Sequence, residues 1–82
     1  MRYRLEIREE ARKQLRALAT EPRKNIGRRL DLLQDDLSGD VKKLTARTQE
    51  YRLRVGNFRV LFLLERNLIT VYAIKDRKDA YE

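Results

Sequence analysis

Three arginines carry the chemistry this sequence could do. Arg52, Arg54 and Arg59 lie within EYRLRVGNFRVLF, residues 50–62. The flanks of that stretch alternate like strands around Gly56-Asn57, a two-residue hairpin turn. Closing the turn sets Val55 opposite Phe58, Arg54 opposite Arg59 and Leu53 opposite Val60. Two guanidinium groups then face each other across the ladder, and like charges so placed cost stability. An anion offsets that cost, and the planar guanidinium fork suits phosphate oxygens. Lys42 and Lys43, just upstream, extend such a site, and Tyr72 and Tyr81 offer aromatic surface on which a base can stack.

RNA brings its own nucleophile to a site of this kind. In-line attack of a 2′-hydroxyl on the adjacent phosphorus needs orientation, stabilisation of the developing phosphorane charge, and proton transfer. Clustered cations supply the first two. The chain has no histidine, so proton transfer falls to a lysine, a tyrosine or Glu50. A lysine or tyrosine crowded by arginines has its pKa lowered, which favours use as a base. Glu50 is the single acid between Lys42 and Arg59, and it serves equally well as a carboxylate that holds an arginine in place. The same arginine cluster also describes a surface that binds RNA without cutting it.

Charge distribution agrees with a polyanionic partner. The 82 residues hold 20 Lys+Arg against 13 Asp+Glu, a net +7. Residues 1–41 carry ten basic and eight acidic residues, and residues 42–82 ten and five, so the excess sits in the second half. There is no cysteine, which removes disulfides and thiolate metal sites. Without histidine, imidazole ligation is excluded too. No ligand cluster is visible and 2′-hydroxyl attack requires no metal, so no cofactor is expected. No apolar run reaches the length of a membrane span, and MRYRLEIREE lacks the apolar centre of a signal peptide. The expected setting is the cytoplasm.

The elements that must position these residues follow from periodicity. Tyr3, Leu5 and Ile7 alternate with charged residues, which predicts a strand over 2–7. Ala11, Leu15 and Leu18 then recur at helical spacing behind Glu9 and Glu10. Thr20-Glu21-Pro22 starts a second helix, with Thr20 as its cap, and Ile26, Leu30, Leu33 and Leu37 form its apolar stripe. Ser38-Gly39-Asp40 ends it. VKKLTART, residues 41–48, reads as a basic loop anchored by Leu44. Strands follow over 51–55, 58–65 and 68–75, the last two joined at Arg66-Asn67. The order β-α-α-β-β-β predicts one α+β domain over residues 1–82. A two-helix hairpin covers one face of a mainly antiparallel four-stranded sheet. Tyr51, Phe58, Val60, Phe62 and Leu64 join Leu53 and Val55 in the core, and Arg52, Arg54 and Arg59 gather on the other face. The last strand is apolar on both sides, so its facing is not read.

The stretch YRLRVGNFRVLF, with KKL before it and ITVYAIKDRKDAYE after it, resembles the RelE/ParE toxin superfamily over essentially the whole chain. The resemblance implies a RelE-like fold akin to microbial ribonucleases. It implies a toxin of a type II toxin–antitoxin system that cleaves mRNA in the decoding site of the ribosome, bound to a cognate antitoxin in a hetero-oligomer. The ParE-like branch, which poisons DNA gyrase, and a non-enzymatic RNA- or ribosome-binding module are the alternatives. In the ribonuclease branch, activity rests on basic hairpin residues, an arginine on the following strand and a late tyrosine. These match Arg52 and Arg54, Arg59, and Tyr81. Lys42 and Lys43 match a basic upstream segment, and Lys75 or Arg77 matches a further basic residue near the end of the last strand; all four are candidate phosphate contacts. The sequence departs from the family in having arginine at both first-strand positions, where some members have lysine, and arginine is no neutral base at pH 7. It also lacks the histidine that many members carry near the end. Those departures place the proton roles on Tyr81 or a nearby lysine.

Overall fold

The computed structural model describes residues 2–44 and 49–76. The chain runs β1 (Arg4–Ile7), α1 (Glu9–Arg16), α2 (Thr20–Asp36), β2 (Asp40–Lys43), β3 (Glu50–Val55), β4 (Phe58–Glu65) and β5 (Leu68–Asp76). One five-stranded sheet is ordered β1-β5-β4-β3-β2. The β1–β5 pair is parallel and the other three are antiparallel. The helical hairpin is the crossover that allows β1 to lie beside β5.

Local chemistry explains the helices. Glu9 and Glu10 occupy the first turn of α1, and Lys13 and Arg16 the last, each complementing the helix dipole. In α2, Thr20 is the first helical residue rather than the cap. The cap is the extended Ala19, with no side-chain cap bond. Pro22 falls in the first turn, where its missing N–H costs nothing. The helix closes at Leu37, which adopts the left-handed conformation and returns its N–H to Leu33 O at 2.8 Å.

Ile26, Leu30 and Leu33 of α2 and Ala11 of α1 pack on Leu53, Val60, Phe62, Ile69 and Val71, all buried. Full burial of each large side chain is worth about 1.5–3 kcal/mol. Tyr51 stacks on Phe62 with ring centroids 5.5 Å apart, so the aromatic assignments to the helix side hold. Gly39 enters β2 at φ +124°, and a Cβ there would meet Leu53 Cδ1 at 2.8 Å. Backbone therefore passes directly over a core leucine.

Three expectations are corrected. The sheet has five strands rather than four, because residues 40–43 form an edge strand with Val41 opposite Leu53. Leu44 is no anchor: it is 46% exposed. A strand that borrows its ladder from β3 needs only one apolar residue, and its charges are what protect an open edge from pairing with other chains. The first strand is also shorter than expected, beginning at Arg4. Among the described residues no helix is long and apolar enough to cross a membrane.

Candidate functional site

The hairpin register is the one the sequence implied: Arg54 lies opposite Arg59, Val55 opposite Phe58 and Leu53 opposite Val60. The ladder continues the row one strand further, since Arg59 pairs with Lys75 of β5. Three cations thus stand side by side on adjacent strands, on the face away from the helices.

A bulge brings Lys75 there. Between Leu61 and Phe62 the β4–β5 register shifts, so Leu61 faces Ala73, Phe62 faces Val71, and Tyr72 opposes no β4 residue. The extra residue reverses the facing of everything after it. Ile74 turns into the core beside Val60, and Lys75 joins Arg59. Without the bulge, Lys75 would point toward the helices. The bulged segment is also held from α1: the Ile74 N–H donates to Gln14 Oε1 at 2.6 Å, beyond the last β1–β5 pair at Ile7–Val71.

The three cations differ in depth. Arg54 is exposed and Lys75 half-buried, whereas Arg59 is only 2% exposed. The Arg59 Nη1 donates to Phe58 O at 3.4 Å. Around the row, Lys42 pairs in register with Arg52 on the same face. Arg52 Nη2 contacts Asp40 Oδ1 at 3.4 Å, and Arg52 Nε is buried with no hydrogen-bond partner. Asp40 was not singled out from the sequence. Its signal is the edge strand itself, which sets it opposite Arg54. Among the described residues Arg54 has no ion pair, so the carboxylate next to the row belongs to Arg52.

Lys43 stands apart from this group. It pairs with Tyr51, on the helix side, and its Nζ lies 5.9 Å from the centre of that ring. Tyr72 donates its hydroxyl to Glu50 Oε1 at 3.2 Å. Burial first, then the Glu50 charge and this bond, push the Tyr72 pKa above the usual tyrosine value. Burial and a carboxylate partner thus act on Tyr72 in the direction opposite to that expected of a tyrosine crowded by arginines. Tyr81 and Arg77 lie outside the described residues.

No protein-family model matches the chain, and no curated protein does. Solved structures do. RelE in its complex with RelB from Pyrococcus horikoshii is 27% identical, with a TM-score of 0.81 over 94% of this chain and 97% of that one. The RelB–RelE complex from Methanococcus jannaschii gives 25% identity and 0.79, over 93% and 94%. The chain is RelE-like, similar to the toxins of these toxin–antitoxin complexes. Isolated RelE from E. coli shares the fold, with a TM-score of 0.78 at 18% identity over 90% of this chain and 83% of that one. This RelE-like chain thus displays its hairpin arginines from the central strands of a sheet whose architecture it shares with these toxins.

Proposed function

We propose that this RelE-like toxin is an endoribonuclease that cuts mRNA on the ribosome, in the decoding site, and so stops translation. The observation that carries the reading is the row Arg54–Arg59–Lys75 across three adjacent strands. Like charges on adjacent strands repel, and a scissile phosphate between two guanidinium groups offsets that repulsion. Arg54 and Arg59 hold the phosphate and stabilise the phosphorane, and Arg52 orients the strand beside them. Lys42, Lys43, Lys75 and Arg77 contact flanking phosphates, Lys43 from the sheet's edge. Tyr81 supports the base and shares in the proton transfers. The nucleophile is the RNA's own 2′-hydroxyl, and no metal takes part. A cognate antitoxin silences the toxin in the cytoplasm, in line with the RelB-bound neighbours.

The test is brief induction of wild type, Arg59→Ala and Arg54→Ala in bacterial cells, followed by mapping of mRNA 5′ ends. Arg59 is buried, so its removal also perturbs folding. Arg54 is exposed, so Arg54→Ala reports on chemistry in a folded protein. Cuts inside translated codons with wild type, and none with folded Arg54→Ala, are expected. Growth arrest with whole mRNA would move the function to a protein target such as gyrase.

A further inference from the structure

A second basic surface lies apart from the arginine row. On the helix layer, a cavity of about 480 Å³ lies between the middle of α2 and the tip of the β3–β4 hairpin. Asn25, Arg28, Arg29 and Leu32 line it from the helix, Arg54 and Gly56 from the hairpin. The helical residues fall at i, i+3, i+4 and i+7, so one stripe of α2 faces the cavity. Three arginines line it and no acid does. Among the described residues none of the three is in an ion pair, although Asp31 is near Arg28 along α2 and Glu21 lines the neighbouring cavity. The lining is chiefly polar, with Leu32 and Val55 as its apolar part.

We infer that this groove is a second phosphate-binding subsite, which seats the backbone of the same single-stranded RNA after it rounds the hairpin tip. The inference rests on the RNA reading of the arginine row and extends it to a surface that reading does not use. Arg54 belongs to both places and marks the path between them. Guanidinium groups bind phosphate oxygens in pairs, and at Gly56 a Cβ would meet nothing within 4 Å, so backbone is open to close approach. An acidic protein segment would find the charge and one exposed apolar anchor in the groove, Leu32, whereas affinity in such docking comes mainly from a cluster of buried apolar anchors.

The experiment measures binding of a 2′-O-methyl RNA of about 12 nucleotides, a length that single-strand grooves span, which stays whole because its nucleophile is blocked. Anisotropy titrations over a range of salt compare wild type with Arg28→Ala/Arg29→Ala, and with Lys13→Ala/Arg16→Ala, which removes the same charge from exposed positions on α1. Loss of two single-strand phosphate contacts lowers the salt slope by about 1.4 and weakens binding about tenfold or more near 0.1 M salt. The α1 variant keeps the wild-type slope. Equal slopes for the two variants overturn the subsite. So does a result in which only binding of an acidic protein partner suffers. The readout is separate from that of the function: a chain that cuts no mRNA but shows this Arg28/Arg29 dependence retains the groove and loses the ribonuclease reading.

Discussion

At the scale of the residue, the Arg54–Arg59 pair sets a conflict between stability and function. Directly opposed like charges on a sheet cost about 0.2–1 kcal/mol relative to neutral pairs. Asp40 also stands opposite Arg54, but its carboxylate is engaged by Arg52 at 3.4 Å, so it does little to relieve the pair. Threonine suits an exposed strand position and carries no charge. Arg54→Thr is therefore expected to stabilise the free protein by about 0.5 kcal/mol, raising the unfolding midpoint by about 2–4 °C for a domain of this size. The same substitution is expected to abolish growth arrest. Thermal unfolding of the purified variant, beside a viability assay, checks both. A midpoint below wild type would mean that Arg54 is held by favourable contacts and is no reservoir of repulsion.

At the scale of the element, the β4–β5 bulge decides which face Lys75 serves, and it depends on a distant helix. The Ile74 N–H points to the β5 edge that β1 no longer covers, and Gln14 Oε1 accepts it. Gln14→Leu keeps the side-chain volume and leaves that partly buried donor without its acceptor, a loss of about 1–3 kcal/mol. Hydrogen exchange should show the Ile74 amide opening well before the amides of β3. Unchanged protection there would assign the anchoring of this strand end to other contacts. The bulge also marks where sequence reading stops. The hairpin register was legible because alternation and a Gly-Asn turn agree, and a one-residue slip would turn the arginines of one strand toward the helices. The helices were legible from Ala11, Ile26, Leu30 and Leu33. By contrast, Leu68–Lys75 is apolar on both sides, so alternation says nothing about a residue inserted at Tyr72. The edge strand β2 was equally silent, since its one apolar residue, Val41, cannot make a pattern. The site followed the same rule. Arg52, Arg54 and Arg59 came from the readable hairpin, while Asp40 and the Tyr72–Glu50 bond depend on the two elements that could not be read.

At the scale of the whole molecule, the net charge of +7 on 82 residues makes the free state self-repelling. Its excess lies in the half of the chain that builds the arginine row. Small domains have roughly 5–15 kcal/mol of total stability, so an anion that binds only the native state has a large effect. A ligand at a hundred times its dissociation constant adds about 2.7 kcal/mol. Inorganic phosphate is the simplest probe, but it also strengthens apolar burial in any protein by exclusion from the surface. Arg54→Thr separates the two effects, because general exclusion acts equally on both proteins. Wild type is expected to gain more in unfolding midpoint from phosphate than Arg54→Thr does, at ionic strength matched with sodium chloride to hold screening constant. Equal gains would mean that phosphate acts by exclusion alone and that the cations of the sheet face do not converge on one anion. A larger gain in wild type ties the repulsion in the free protein to the ligand that relieves it. The arginine pair then stores free energy that binding releases, the signature of a surface shaped for a polyanion at the expense of its own stability.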